Sequence, residues 1–403
     1  MNLYFPSRYT NLWLSICLSP VVFLVFYDIV FVYLPLIRGD GTLPTEFIVY
    51  MVCVNLVMTY ILLWLYLQLK KRETYGGKSS TMSPHRAGLG WQGHLFMVVL
   101  TTSLFFYLVF NVFGSFDLSN VYENNQMFYA KSKVGTAWVY FFLQAFVFTA
   151  LYDIYLTGNS KFKIICVLLL ILINAATGGR SNVITYLFFF IIIYGVIWRG
   201  RYILIVGGSV LILVFSTFLY NTLSRSGMDN ISEYMETKSS IADFNQLYAI
   251  ADSIDYWNDN GACNTCLLED LSYFFIPRRL YPDKPISNAE TRRVYPEVAA
   301  RGTTQTFGLY GGSILNLGLF SFIFIPVFYF FYTYAFFSSI YTRRKSYLSF
   351  FFIYCGVNAV QFVRGGVLDI RLIRLFVTFL LAYLIYQFFL VLFGKHILKK
   401  CVE

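Results

Sequence analysis

Three arginines of this chain stand beside residues that open or stiffen the backbone. Arg180 ends a Gly-Gly-Arg run, Arg364 begins an Arg-Gly-Gly run, and Arg278 follows a proline directly. The planar guanidinium of arginine binds a phosphate group through two hydrogen bonds at once. Glycine lets the backbone approach such an anion closely. These residue types and spacings indicate a site that binds a phosphate-like anion or stabilises negative charge as it develops.

The stretch 276–285 reads IPRRLYPDKP and adds Arg279 and Lys284 to the candidate cations. Its prolines exclude a regular helix and hold the cations in fixed positions. The alternative is a patch that only attracts acidic lipid headgroups, but such a patch would need no rigid backbone. Arg301, further along the chain, is a lesser candidate for the same anion.

Two carboxylates near these cations are candidates for a base that activates a hydroxyl group. Asp283 lies within the rigid stretch, where it could instead pair with a neighbouring cation. Glu290 closes the pattern Ser287-Asn-Ala-Glu290, which is typical of a capping box that opens a short helix ending before Pro296. No Asp-x-Asp or Glu-x-Asp motif occurs in the sequence, so we expect neither a metal ion nor another cofactor.

Composition assigns the chain to the polytopic membrane proteins. Of its 403 residues, 58% are hydrophobic and 13% are charged, whereas soluble globular chains carry about 25% charged residues. So much apolar surface excludes a disordered chain and cannot be hidden inside a soluble enzyme of this size. The net charge of +10 is explained by basic cytoplasmic loops rather than by nucleic-acid binding.

The long apolar runs predict an all-α fold with about ten transmembrane helices, because backbone groups in lipid must be satisfied within each segment. The predicted spans are 12–36, 47–69, 95–113, 135–156, 163–177, 183–198, 202–220, 312–337, 347–363 and 372–393. Basic clusters such as 70–72 and 343–345 recur in alternate short connections, which is the positive-inside pattern. Both termini should therefore be cytoplasmic.

This topology divides the chain into three parts. Residues 1–220 hold seven spans, 221–306 form one large periplasmic loop with short helices, and 307–403 hold three spans and a cytoplasmic tail. Arg180 and Arg364 would then lie at periplasmic span ends, where the charge bias disfavours them. Arg371 and Arg374 share that location and could simply bind lipid headgroups.

Four further features of the loop and the spans need an explanation. An amphipathic helix is predicted near 240–257, either lying on the outer membrane surface or capping the bundle. Cys263 and Cys266 would face an oxidising compartment and form either a disulfide or two free thiols. Asp28 and Asp153 lie in or near spans, where ionisable residues are functional candidates. Asp153 is near the cytoplasmic end of its span, beside Lys161, so it should either snorkel to the interface or form an ion pair, whereas the role of Asp28 stays open.

Together these features resemble the Wzy-type polymerases of O-antigen and other oligosaccharide repeat units. The resemblance rests on the Gly-Gly-Arg-Ser turn at 178–181, the stretch 276–285 and the sequence GLYGGSILNLG at 308–318. It implies a multi-pass glycosyltransferase of the bacterial inner membrane, with its active site facing the periplasm. Its fold would resemble that of the lipid-linked glycosyltransferases, which include the O-antigen ligases.

The resemblance also implies a substrate and partners. Such an enzyme joins oligosaccharide repeats carried on undecaprenyl pyrophosphate, without a metal, and works beside a chain-length regulator and a flippase. An O-antigen ligase is the first alternative, although all three histidines are predicted on the cytoplasmic side. A non-enzymatic flippase or transporter is the second, although no internal repeat is evident. A structural scaffold would leave the arginines at span ends unexplained.

Overall fold

The chain is an α-helical membrane protein, and every regular element in the described residues is a helix. A computed structural model describes residues 16, 19–39, 41–75, 88–113, 137–157, 161–176, 180–193, 246–263, 265–276, 280–281, 285, 288–300, 306–341, 346–359, 362–363 and 370–393. Its α-helices in chain order are α1 Pro20–Asp28, α2 Leu34–Arg38, α3 Thr45–Tyr75, α4 Trp91–Leu108, α5 Ala137–Thr157, α6 Lys161–Ala176, α7 Arg180–Ile191, α8 Gln246–Asn260, α9 Cys266–Phe275, α10 Ala289–Val294, α11 Pro296–Ala300, α12 Gly308–Leu317, α13 Ser321–Tyr341, α14 Tyr347–Val357 and α15 Ile370–Phe393.

Six helical stretches of the described chain are long and apolar enough to cross a membrane. They are Pro20–Ile37, Thr45–Gln68, Trp91–Asn111, Trp138–Thr157, Gly308–Ile340 and Ile373–Phe393. The shorter helices α6, α7 and α14 stand where three further spans are predicted. The predicted span 202–220 lies outside the described residues. The membrane class is thus confirmed, and the count of ten spans stays a prediction.

Three of these stretches are not simple α-helices, and in one of them, Trp91–Asn111, a π-helical turn, Val109–Phe113, follows α4. A π-helical turn, Ile29–Tyr33, joins α1 to α2 immediately after Asp28. Gly308–Ile340 covers 33 residues and would extend about 50 Å as one helix, well beyond a hydrocarbon core of about 30 Å. A 3-10 turn at Gly318, with a φ of +54°, divides it into α12 and α13. The run predicted as one crossing over 312–337 therefore consists of parts of two helices, α12 and α13.

Aromatic side chains fill the centre of the bundle. Helix α5 is the most enclosed span, with 78% of its membrane window buried inside the protein. In its middle, the ring of Phe148 lies 4.6 Å from that of Tyr354 in α14 and 4.3 Å from that of Phe379 in α15. Offset and edge-on ring packing of this kind adds to the stabilisation from apolar burial.

Helices α8 to α12 pack on one another, and we call them the loop layer. The side of the bundle that they occupy is called the loop face. Helix α8 confirms the amphipathic helix predicted near 240–257, although residues 240–245 lie outside the described part. It packs along α12 and against the π-turn, so it caps the bundle. At the opposite face, Phe393 at the end of α15 lies against Gly93 near the start of α4.

Helices α8 and α12 run parallel and approach closely at glycines. A Cβ atom on Gly311 would lie 2.8 Å from the Ser253 hydroxyl and 3.3 Å from the Ala249 carbonyl oxygen. At the C-terminal end of α12, a Cβ atom on Gly318 would lie 2.8 Å from the indole nitrogen of Trp257. The glycines in the 308–318 motif are therefore needed for this contact, because any side chain would separate the helices.

Replacing Gly311 with alanine should destabilise the loop layer by about 1–3 kcal/mol, as expected for an extra methyl group in a well-packed interface. Thermal unfolding of the detergent-purified protein measures the effect. Gly90→Ala is the matched control, because its Cβ would meet nothing within 4 Å. Adding Ser253→Ala to Gly311→Ala should restore part of the loss by removing the colliding hydroxyl. A Gly311→Ala protein that unfolds like Gly90→Ala would contradict the close contact.

Candidate functional site

Among the catalytic and anion-binding residues that the sequence nominates, only Glu290 has a described side chain. Arg180 is the first residue of α7, but its side chain lies outside the described part. The remaining nominated residues also lie outside it: Arg278, Arg279, Asp283, Lys284, Arg301 and Arg364. What the structure supplies is the arrangement of the helices that lead to them.

The helices beside Arg180 and Arg364 meet through a hydrogen bond. The hydroxyl of Thr185 in α7 donates to the side-chain oxygen of Asn358 over 3.3 Å. Asn358 is the C-cap of α14, six residues before Arg364. Thr185 is five residues after Arg180, a rise of about 8 Å along the helix. The backbone of Arg180 is therefore about 8 Å along the helix axis from the hydrogen bond between Thr185 and Asn358.

Val363, the residue before Arg364, lies against the loop layer. A Cβ atom on Gly308 would lie 3.2 Å from the carbonyl oxygen of Val363 and would collide with the side-chain oxygen of Gln246. Gly308 has a φ of +69°, which favours glycine. The side-chain amide of Gln246 donates to both oxygens of Thr306, at 3.0 and 3.1 Å. The starts of α8 and α12 thus meet the chain that leads to Arg364.

Glu290 contacts α12 and does not form the predicted capping box. Helix α10 is capped by Asn288, whose side-chain oxygen accepts the backbone N–H of Thr291 at 3.2 Å. Glu290 then occupies the second helical position, one residue short of the position that a capping box requires. One of its carboxylate oxygens instead accepts a hydrogen bond from the side-chain amide of Asn316. The predicted short helix is confirmed, but its predicted cap at Ser287 is wrong.

The acidic and basic parts of the loop pair with each other. The guanidinium of Arg292 contacts one carboxylate oxygen of Glu269, and that of Arg293 lies 3.3 Å from the other. Asp270 accepts the backbone N–H of Ala289 at 2.8 Å and lies 3.7 Å from Arg292. The adjacent acids 269 and 270 therefore stabilise the layer. Among the described residues, no group of three or more His, Cys, Asp or Glu could hold a metal ion.

Two more contacts hold the loop layer together. Cys263 and Cys266 form a disulfide, the first of the two predicted states, and the N–H of Cys263 donates to the carbonyl of Leu315 at 2.6 Å. Tyr295 donates its hydroxyl to Asp252 in α8. Burial and this carboxylate raise the pKa of Tyr295, so its hydroxyl stays protonated and remains a donor at ordinary pH.

A buried carboxylate joins the loop layer to the bundle. Asp28 at the end of α1 is 0% exposed. One of its oxygens accepts hydrogen bonds from the amide of Asn55 in α3, at 2.8 Å, and from the hydroxyl of Tyr310 in α12, at 2.7 Å. The same Asn55 amide donates to the hydroxyl of Tyr33 at 3.0 Å. Asp28 therefore connects three elements, which resolves the role that the sequence leaves open.

A second buried carboxylate lies at the opposite face. Asp153 in α5 accepts the backbone N–H of Leu89 at 2.7 Å and the ring N–H of His94 at 2.9 Å. The ammonium of Lys163 in α6 contacts the same carboxylate. The ion pair predicted for Asp153 is thus present, but its partner is Lys163 and not the neighbouring Lys161. These contacts tie α4, α5 and α6 together.

The sequence indicates both buried acids and misses the residues that satisfy them. Asn55 and His94 are polar residues within apolar spans, and that contrast is the signal that identifies such partners. Tyr310 is one of 33 tyrosines, and nothing in its sequence environment distinguishes it. Only the arrangement of the helices brings its hydroxyl to Asp28.

Comparison with protein-family models, with curated proteins and with solved structures found no match to this chain. Its function is therefore inferred from its own residues and their geometry.

Replacing Asp153 with alanine should lower the stability of the bundle strongly, because Lys163 and His94 would lose the carboxylate that they share. Removing one partner of a buried ion pair costs about 3–5 kcal/mol. The measurement is thermal unfolding of the detergent-purified protein, followed by tryptophan fluorescence. Asp259→Ala, at an exposed position in α8, is the matched control and should unfold like the unmodified protein. Identical unfolding of both variants would show that the cluster adds no net stability.

Proposed function

We propose that the chain is a Wzy-type polymerase that joins undecaprenyl-pyrophosphate-linked oligosaccharide repeats at the periplasmic face of the inner membrane. The contact between Thr185 and Asn358 carries this proposal. It brings together the helices that adjoin Arg180 and Arg364, the two arginines flanked by paired glycines. The approach of these two helices supports a single anion site at the loop face, because two guanidinium groups there would bind one pyrophosphate.

The proposed reaction breaks one glycosidic bond and forms another. The anomeric carbon of the donor chain leaves its pyrophosphate oxygen and bonds to a hydroxyl oxygen of the incoming repeat. Arg180, Arg278 and Arg364 stabilise the negative charge that grows on the departing lipid pyrophosphate. Further positive charge comes from Arg279, Lys284 and Arg301. Fixed cations replace the metal ion that other enzymes use for such a leaving group.

A carboxylate accepts the proton of the attacking hydroxyl in this mechanism. Asp283 is one candidate, because it lies in the same rigid stretch as the cations. Glu290 is the other, and its contact with Asn316 bears on this role in two ways. The hydrogen bond orients the carboxylate, as a base requires. It also fixes Glu290 to α12, which is a sufficient structural role by itself.

The rigidity of the loop layer supports a site that binds a charged leaving group. Preorganised charges stabilise a transition state better than mobile ones, because no reorganisation accompanies the reaction. The disulfide, the ion pairs of Glu269 and the glycine contacts of α12 all restrict this layer. An O-antigen ligase that uses histidine is less well supported, since His94 is bound to Asp153 at the opposite face.

Gene deletion and complementation test the proposed class of activity. Loss of a polymerase should leave surface glycolipid that carries single repeats, whereas loss of a ligase or flippase should leave none attached. Gel analysis of the surface polysaccharide separates these outcomes. Complementation with the unmodified gene should restore long chains. A deletion strain without any attached repeat would contradict the polymerase proposal.

In the same strain, Arg180→Lys and Arg364→Lys should each reduce polymer formation about 10²–10³-fold, because lysine keeps the charge but loses the two-pronged contact. Arg293→Lys is the matched control, since Arg293 pairs with Glu269 and is assigned no contact with substrate. Its polymer should be normal. Immunoblots of membranes establish that all variants insert equally. Normal polymer from both test variants would remove the pyrophosphate site from the mechanism.

A further inference from the structure

Helix α9 of the loop layer does not have the side-chain distribution of a surface helix that faces water. Its charged residues turn inward, where Glu269 and Asp270 pair with Arg292 of α10. Its apolar residue Leu268 points outward and is 64% exposed. A water-facing helix shows the reverse arrangement, because apolar side chains gain free energy on leaving water.

Two further exposed residues, Leu280 and Tyr281, follow α9 in the chain. The ring of Tyr281 stacks on that of Tyr273 in α9, with ring centres 5.9 Å apart. Leu280, beside it, is 78% exposed. The guanidinium of Arg292 covers Tyr273 at 5.6 Å and fixes its position. We call Leu268, Leu280 and Tyr281 the α9 apolar surface.

The position of α9 explains why an apolar surface is tolerated there. Helix α9 packs against α15. Helix α15 crosses the membrane from Ile373 onward. It exposes apolar residues at four-residue intervals, as expected of a lipid-facing row: Phe376, Leu380, Leu384 and Phe388. Helix α9 is therefore at the level where the membrane surface meets the bundle.

We propose that α9 lies in the boundary between headgroups and acyl chains of the leaflet at the loop face, with the α9 apolar surface inserted into lipid. The occupant of this surface is the phospholipid bilayer itself. Its continuity with the lipid-facing span α15 supports this choice, as does a tyrosine at the edge of the patch, where interfacial aromatic residues concentrate. Arg278 and Arg279 directly precede Leu280 in the sequence, and such cations strengthen binding to anionic headgroups. The inference does not depend on the proposed activity.

Photocrosslinking of the full-length protein in nanodiscs of phosphatidylethanolamine and phosphatidylglycerol tests this placement. The photoreactive residue p-benzoylphenylalanine replaces Leu268 or Leu280 in separate proteins, and intact mass spectrometry detects adducts. The control carries it at Asn260, an exposed position at the end of α8. Lipid adducts should be on the order of tenfold more abundant at the two test positions, because only these side chains reach the acyl region.

Two results would overturn the proposal. One is lipid labelling at Leu268 and Leu280 no greater than at Asn260, which would show that the surface faces water. The other is crosslinking mainly to a second protein chain, which would make the surface a protein interface. Tyr281→p-benzoylphenylalanine preserves an aromatic ring and applies the same criterion if the leucine variants fail to insert.

Discussion

The hydrogen bond from Tyr310 to Asp28 is the interaction on which the arrangement of the loop face depends. Asp28 is completely buried among spans, where an unsatisfied carboxylate would be very costly. Its oxygen is satisfied by Asn55 from within the bundle and by Tyr310 from the loop layer. Because Tyr310 belongs to α12, its hydrogen bond to one oxygen of this carboxylate also fixes the helix against which α8 packs.

From this anchor, a series of close contacts reaches the elements that lead to the candidate anion site. The glycines of α12 allow α8 to pack closely, and Gly308 allows Val363 to approach both helices. Arg364 follows Val363 in the sequence, and α14 before it meets α7 through Asn358 and Thr185. The loop layer therefore packs against the elements that adjoin the candidate anion site.

The two buried carboxylates have different partners at the two faces of the bundle. Asp153 contacts the ammonium of Lys163, which compensates its charge, and accepts the ring N–H of His94. The hydrogen bonds of Asp28 come from neutral groups, Asn55 and Tyr310. Both sets of contacts join helices, and removing a partner from either leaves a buried polar group without its hydrogen bond.

The sequence predicts the membrane class and most helix positions, because long apolar runs and the demand for backbone hydrogen bonds leave few alternatives. It also predicts α8 and the short helix α10 from periodicity and capping residues. It does not predict the break at Gly318, because α12 and α13 form one apolar run, and only their length exceeds the membrane thickness. The observed cap, Asn288, is one residue from the predicted one, and Lys163 is two residues from Lys161; local patterns do not resolve such small shifts. The partnership of Tyr310 with Asp28 spans 282 positions of sequence and is set entirely by tertiary packing.

A double-mutant cycle on Asp28 and Tyr310 tests the central claim most directly. Free energies of unfolding are measured by SDS titration for the unmodified protein, Asp28→Leu, Tyr310→Phe and the double variant. A buried hydrogen bond contributes about 0.5–3 kcal/mol, so the sum of the losses in the two single variants should exceed the loss in the double variant by that amount. Additive losses, with no coupling between the two positions, would contradict the claim that this hydrogen bond fixes the loop layer to the bundle.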